Sequence, residues 1–185
     1  MKTPRPASVL LVLFLLLVTV GIPYHQFQRR AAMTPKEIAD EILASADGEI
    51  DLDNLPLSQA IKQVHGKGDL ILVTFEDPNC PFCARLDEKL ARLDNATLYT
   101  FLLPILSDDS TRKSRLIWCA DDPATAWNDW MLKRRLPADT GGHCDTSALT
   151  RNLEIGERLG IRGVPYLLRG KNSLAAQVQV SDDLL

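Results

Sequence analysis

A buried strand that leads into a C-x-x-C motif is the feature that most constrains the fold of this 185-residue chain. Residues 70–75 read LILVTF, an apolar and β-branched run that is typical of a strand buried on both faces. Cys80 and Cys83 follow, and Pro81 suits the first position of a helix. The spacing predicts that this helix faces the core with Cys83, Leu86, Leu90 and Leu93 and the solvent with Arg85, Asp87, Glu88 and Arg92.

The segments before this junction predict short helices and a linker. A helix is expected to begin at Pro35, with Thr34 as its cap and Glu37 completing a capping box. The acidic, glycine-containing residues 44–54 predict a linker. A second short helix is expected next, with Gly66 as its end.

The segments after the junction predict a second strand, a helical middle and two closing strands. The strand is expected at 97–103, and the middle contains a helix capped by Asp122. Another helix is expected at about 147–159, followed by strands in VPYLL and AAQVQV. The alternation predicts an α/β fold. Its tryptophans are interpreted as core residues: Trp118, Trp127 and Trp130.

The N-terminus has the composition of an export signal. Lys2 and Arg5 precede an apolar run over residues 7–22, and no clear cleavage site follows it. The sequence therefore predicts either an uncleaved signal anchor helix in the membrane or a removed signal peptide within residues 1–30. Both predict export to the periplasm.

The charge of the rest of the chain argues against nucleic-acid binding. The first thirty residues contain four basic and no acidic side chains, so 17 basic residues stand against 24 acidic ones elsewhere, about −7 in net charge. Nucleic-acid-binding proteins need a basic surface.

Cys80 and Cys83 are the candidate catalytic residues. A cysteine at the N-terminal end of a helix faces unpaired N–H groups and the positive end of the dipole, which favour a thiolate. Cys83 lies one turn later on the core-facing side. The pattern predicts an exposed attacking Cys80 and a sheltered resolving Cys83, as disulfide exchange requires.

Two other interpretations of the motif are weaker. A structural zinc site would need further ligands from Cys119, His143 or Cys144, none of which forms a second C-x-x-C pair. A purely structural Cys80–Cys83 bridge would close too short a loop to stabilise the fold much. No metal and no cofactor is predicted.

Cys119 and Cys144 lie in no reactive motif. In an oxidising compartment four cysteines allow three pairings, and a 119–144 bridge is the interpretation favoured here, as a stabilising disulfide. His143 could activate Cys144, but a loop histidine beside a structural cystine is the simpler interpretation. Pro165, at the start of a predicted strand, could follow a cis bond, although about 5–6% of X–Pro bonds are cis.

Together these motifs resemble the catalytic domain of the DsbC/DsbG-type bacterial disulfide isomerases. The matching stretches are LPLSQAIKQVHGKG, FEDPNCPFCARL, IWCADDPATAWNDWM and LGIRGVPYLL, between residues 55 and 173. The resemblance implies a thioredoxin-like fold with a helical insertion over residues 55–185, after a helix and linker at 31–54. It implies that Cys80 is the nucleophile, that Cys83 resolves, that Val164 and cis-Pro165 bind substrate, and that Cys119 and Cys144 form the structural disulfide.

The resemblance also implies partners: protein substrates with disulfides and a membrane electron donor of the DsbD type. About twenty residues, 33–54, stand where the family has a dimerisation domain, which leaves no basis for predicting its homodimer. Pro81 and Phe82 replace the Gly-Tyr pair typical of the isomerases, and these two residues are expected to tune the redox potential.

Three functions therefore remain open on the sequence. The first is an exported thiol-disulfide oxidoreductase or isomerase that acts through the dithiol. The second is a dedicated membrane-anchored reductase, for example for cytochrome or surface-assembly cysteines. The third is a non-catalytic thioredoxin-like binding module.

Overall fold

The computed structural model describes residues 33–139, 141 and 143–171. The chain divides into two compact units, residues 1–37 and residues 38–185. The predicted signal segment at 7–22 and the predicted strand AAQVQV lie outside the described residues. Among the residues that the structure describes, no helix has both the length and the apolar character needed to cross a membrane.

Helix α1, Pro35–Ala44, begins with the predicted capping box. The backbone N–H of Glu37 donates to Thr34 Oγ1 (3.3 Å), and the backbone N–H of Thr34 donates to Glu37 Oε2 (2.8 Å). The hydrogen bonds from Thr34 hold the pKa of the Glu37 carboxyl below its ordinary value. In the second unit, the helix buries Ile38 and Ile42.

Five strands form one mixed sheet in the order β1-β5-β3-β4-β2. Their bounds are β1 Gly48–Asp51, β2 Ile61–His65, β3 Leu70–Glu76, β4 Ala96–Leu102 and β5 Tyr166–Lys171. The central strand β3 is parallel to β4 and antiparallel to β5, with Phe75 opposite Tyr166. The C-terminal end of β3 therefore lies beside the residues that enter β5.

Four further α-helices lie among the described residues: α2 Pro81–Leu90, α3 Asp108–Trp118, α4 Pro123–Lys133 and α5 Ser147–Arg158. Their starts follow from capping residues. Asp122 accepts hydrogen bonds from the N–H groups of Ala124 (3.0 Å) and Thr125 (3.1 Å) at α4, as predicted. Ser107 accepts from the Ser110 N–H at α3 (3.2 Å).

Two apolar clusters cover the two faces of the sheet, because successive side chains of a strand point to opposite sides. Phe75 of β3 stacks on Phe101 of β4 with ring centroids 5.0 Å apart, on the face that also packs Ile155 of α5. The other face packs Leu102 against Trp127 of α4 and the two motif cysteines. Trp127 is fully buried in this second cluster, which confirms its interpretation as a core residue, while Trp118 and Trp130 are partly buried and pack against the cluster.

The structure differs from the prediction before β3. The second short helix is wrong: residues 61–65 form strand β2, antiparallel to β4. Burial in this strand alternates with period 2, and the more buried positions are Ile61, Gln63 and His65. Two of these three side chains are polar, so the hydrophobicity of the sequence does not show the alternation. The predicted linker likewise contains strand β1, which pairs in parallel with β5.

The predicted orientation of α2 is also wrong at one residue. Asp87 is 4% exposed and Leu86 is half-buried, because the core-facing side of the helix consists of Cys83, Ala84, Asp87 and Leu90. A carboxyl group therefore lies inside the protein, one turn beyond the second motif cysteine.

Candidate active site

The junction of β3 and α2 places Cys80 at the N-cap of the helix. Its backbone is extended (φ −77°, ψ 119°), and Pro81 occupies the first helical turn. The backbone N–H of Cys83 donates to Cys80 Sγ at 3.3 Å. The sulfur therefore takes the place of the side-chain oxygen that usually caps a helix, and one of the otherwise unpaired N–H groups points at it.

Both motif cysteines are free thiols and both are buried. Cys80 is 3% exposed and Cys83 is inaccessible, so the prediction of an exposed Cys80 is wrong for this structure. The cover comes from the loop before β5: the Cys80 thiol donates to the carbonyl oxygen of Val164 at 3.4 Å. Any group that reacts with this sulfur must therefore reach it beside Val164.

Val164 and Pro165 stand directly against the dithiol, and the peptide bond between them is cis. Both side chains are half-buried. Phe82, the other residue between the cysteines, is 61% exposed, and the Arg85 guanidinium lies 5.3 Å from its ring centroid. The residues predicted to bind substrate and to tune the potential are thus brought together around Cys80.

Cys83 lies in a strongly unfavourable setting for a thiolate. Burial raises the pKa of its thiol well above the ordinary value, and the negative charge of Glu76 adds to this. Glu76 ends β3 with an inaccessible side chain, and neither of its carboxyl oxygens has a hydrogen-bond partner within 3.5 Å among the described residues. The nearby Thr74 hydroxyl instead donates to Thr100 Oγ1 (3.1 Å).

Glu76 and Asp87 form a buried pair of carboxyls beside the dithiol. Burial first, and then the charge of Asp87, raise the pKa of Glu76 well above its ordinary value. Burial also raises the pKa of Asp87 to about 7, which the indole of Trp127 partly offsets. Asp87 also lines a pocket of about 130 Å³ together with Gln63, His65 and Asn128. Two carboxyls in one apolar site disfavour double ionisation, so the pair retains a proton near neutral pH.

Sequence reasoning missed three contributors to the site: Asp87, Asn79 and Lys113. The signal for Asp87 was available, since it lies four residues after Cys83 and therefore on the same helical face. Asn79 precedes Cys80, and its side chain accepts a hydrogen bond from Lys113 Nζ (2.6 Å). That contact joins residues 34 positions apart, which no local pattern indicates.

The other two cysteines lie apart from the dithiol. Cys119, at the end of α3, and Cys144 are joined by a disulfide with an S–S distance of 2.03 Å. They are therefore not available as metal ligands alongside Cys80 and Cys83. Within residues 33–139, 141 and 143–171, no group of three or more His, Cys, Asp or Glu side chains is arranged to hold a metal ion.

The class of this protein follows from three features. They are the mixed sheet, the dithiol at the start of a helix, and the loop with a cis-proline that lies against the dithiol. The chain belongs to the family of thioredoxin-like domains, whose model matches residues 57–176. It is similar to the probable thiol:disulfide interchange protein DsbC of Bordetella parapertussis, with 47% identity over 118 residues, or 64% of this chain and 41% of that protein. A relative of the same name from Bordetella avium is 41% identical over 147 residues, or 80% of this chain and 52% of that protein.

A solved structure is also similar, a disulfide interchange protein from Neisseria gonorrhoeae. The TM-score is 0.57 at 34% identity, over 69% of this chain and 97% of that one. These relatives confirm the resemblance to DsbC-type proteins. The chain spans about half the length, or less, of the curated relatives it matches.

Proposed function

We propose that this chain is a thiol-disulfide oxidoreductase and isomerase that acts on protein disulfides through Cys80 and Cys83. The observation that carries the proposal is the placement of Cys80 Sγ between the Cys83 N–H (3.3 Å) and the Val164 carbonyl (3.4 Å). An N–H donor beside the sulfur favours the thiolate that attacks a disulfide. The names of the relatives support the same activity.

The reaction begins when the Cys80 thiolate attacks one sulfur of a substrate disulfide. A bond forms between Cys80 and that sulfur, the substrate bond breaks, and the second substrate sulfur leaves as a thiolate that takes a proton from water. Val164 and Pro165 flank Cys80, so an extended substrate segment can pair with the backbone there.

Two routes release the mixed disulfide. In reduction, Cys83 loses its proton to solvent and attacks Cys80 Sγ. The Cys80–Cys83 disulfide forms, the bond from Cys80 to the substrate breaks, and the substrate sulfur leaves as a thiolate that takes up a proton, so the substrate has gained two electrons. In isomerisation, another thiolate of the substrate attacks the substrate sulfur that is bound to Cys80. A new disulfide forms within the substrate, the bond to Cys80 breaks, and Cys80 leaves as a thiolate with no net electron transfer. The burial of Cys83 slows the first route and leaves more time for the second.

Reduction requires a supply of electrons, for which we propose a membrane donor of the DsbD type. We also propose export to the periplasm, either with residues 7–22 as a membrane anchor or after removal of a signal peptide within residues 1–30. Residues 55–185 are proposed to form the catalytic domain. Pro81 and Phe82 lie between the two cysteines in the sequence and are proposed to set the redox potential. Cys119–Cys144 is proposed to have a structural role only.

The refolding of scrambled ribonuclease by the purified full chain tests this function. The wild type is expected to restore activity faster than a glutathione buffer alone, and Cys80→Ser is expected to lose this effect. Light scattering on the same sample gives the mass of the active species. Undiminished catalysis by Cys80→Ser would exclude the proposed chemistry.

The redox state of the dithiol in cells separates the possible directions. A mostly reduced Cys80–Cys83 pair is expected for a reductase or isomerase, and trapping with a thiol-specific reagent measures it. A mostly oxidised pair would identify an oxidase instead.

A further inference from the structure

The three residues before Cys80 form what we call the approach loop, residues 77–79. Asp77 Oδ2 accepts a hydrogen bond from the Leu106 N–H at 2.9 Å. The Pro78 carbonyl accepts one from Trp130 Nε1–H at 2.6 Å. The Cys80 N–H donates to the Asp77 carbonyl at 3.0 Å. The backbone that leads to the sulfur is thus fixed from the α3 and α4 side of the molecule.

Asn79 is the most connected residue of the approach loop. Its Oδ1 accepts from Lys113 Nζ at 2.6 Å. Its Nδ2 has two hydrogens and lies within hydrogen-bond distance of three oxygens: Ser107 Oγ (3.1 Å), Asp109 Oδ2 (3.1 Å) and Ser110 Oγ (3.2 Å). These contacts fix the orientation of the amide, because a flipped amide would face the ammonium with N–H groups and the carboxylate with oxygen.

Lys113 is held from three sides. Its side chain is 14% exposed, its Nζ lies 2.8 Å from Asp109 Oδ2, and the same nitrogen is 4.2 Å from the centroid of the Trp130 ring. Its hydrogen bond to Asn79 is charge-assisted and partly shielded from water, so it is stronger than an exposed contact. One partly buried cation therefore connects α3 and α4 to the approach loop.

Lys133 provides a comparison within the same chain. It pairs with Asp129 at i,i+4 and 2.8 Å, the same spacing and distance as Lys113 with Asp109. Its side chain is 55% exposed, and no contact joins it to the approach loop among the described residues. The two lysines thus have equivalent ion pairs and differ in what else they contact.

We propose that Asn79 and Lys113 are positioning residues for Cys80, which hold its sulfur at the N-terminus of α2 and so set the rate at which it attacks a disulfide. The inference rests on the proposed function for its role in the cell. Asn79 is covalently next to Cys80, so a backbone shift at Asn79 would change the position of the sulfur relative to the Cys83 N–H and the Val164 carbonyl. Prearranged donors at a charged sulfur act without reorganisation during attack, which is why small displacements are costly.

The charges around the approach loop come from several elements. Glu76 of β3, Asp77 of the loop and Asp109 of α3 are acidic, while Lys113 and Arg112 of α3 and Arg134 after α4 are basic. Lys113 is the basic residue of this set that hydrogen bonds to the loop. Loss of the Lys113 side chain would remove the hydrogen bond that holds the Asn79 amide from α3.

The test compares Lys113→Met and Asn79→Ala with Lys133→Met in the reduced full chain. The measurements are the rate of Cys80 alkylation by iodoacetamide from pH 4 to 9, assigned by mass spectrometry, and the equilibrium of the dithiol with glutathione. Lys113→Met and Asn79→Ala are both expected to slow alkylation at neutral pH by about fivefold to tenfold, because each removes one charge-assisted hydrogen bond. Lys133→Met is expected to stay within about twofold of the wild type.

Unchanged pH profiles and equilibria in both loop variants would overturn the inference, as would a loss of thermal stability without any change in these two readouts. If circular dichroism shows that Lys113→Met is unfolded, the alkylation rate and glutathione equilibrium of Asn79→Ala decide whether the inference holds. None of these measurements uses a protein substrate. A wild type that fails to refold ribonuclease but shows the Lys113 effect would reject the proposed function and support the positioning pair.

Discussion

At the scale of single residues, the surroundings of the two cysteines divide their work. Cys80 has an N–H donor and lies where the Val164 loop meets the helix. Cys83 has a raised pKa from burial and from Glu76. In the proposed reaction the first thiol attacks and the second reacts later, and the charge of Glu76 acts on the second thiol.

The buried carboxyl of Asp87 makes stability depend on pH. Because burial raises its pKa to about 7, the folded protein keeps a proton that the unfolded chain releases near the ordinary value of 3.8. Its stabilisation is complete below that value and is lost as the pH rises towards 7, at about 1.4 kcal/mol per pH unit within that window. We expect Asp87→Asn to become more stable relative to the wild type as the pH rises from about 4 to 7.

Urea unfolding monitored at several pH values measures this difference. Glu88→Gln is the matched control, since Glu88 is the exposed neighbour on the same helix and should give a nearly constant difference. Parallel pH profiles for Asp87→Asn and Glu88→Gln would contradict a protonated acid inside the core.

At the scale of elements, the turn between β2 and β3 depends on Gly66. Its φ is +57°, and a Cβ there would lie 2.2 Å from the backbone oxygen of Asp94. Gly160, after α5, has a similar φ of +70° but open space around it. Gly160→Ala should cost about 1–2 kcal/mol from the backbone conformation alone, and Gly66→Ala should cost clearly more because a backbone atom must also move.

Chemical denaturation of the two variants gives the loss of unfolding free energy at each position, provided that the dependence of that free energy on denaturant concentration is the same in both. The pair isolates the steric part, because the conformational penalty is common to both positions. Equal losses of unfolding free energy would show that the turn can relax away from Asp94.

The elements also show what a sequence pattern can establish. The strand at 70–75, the helices capped by Thr34 and Asp122, and the helix from Ser147 are predicted correctly, because each depends on local periodicity or on a cap. Strand β2 is not, since its inner face carries Gln63 and His65 and its pairing partner lies in β4. The approach loop is missed for the same reason, because its contacts join distant segments.

At the scale of the whole molecule, the sheet separates two apolar clusters that must form together. All three tryptophans report on the face that holds the dithiol, while Phe75 belongs to the other face. We expect Phe75→Leu to lower the unfolding free energy by about 1 kcal/mol and to shift the tryptophan fluorescence midpoint as much as the circular dichroism midpoint. Urea titrations followed by both signals make the comparison.

Separate midpoints in that experiment would mean that the α3–α4 side unfolds independently of the sheet. Trp127→Phe, on the opposite face, is the companion variant, and it should shift both signals together as well. A single cooperative transition is what couples the geometry of Cys80 to the packing of residues far from it.

The edges of the sheet have a consequence for a protein proposed to meet unfolded chains. Strand β1 is four residues long, ends the sheet beside β5 and carries Glu49, which pairs with Lys171. The opposite edge, β2, carries Lys62. Short, charged edge strands are poor templates for strand addition. The two described edges are therefore poor templates for pairing with the polypeptides that the proposed function would bring to the protein.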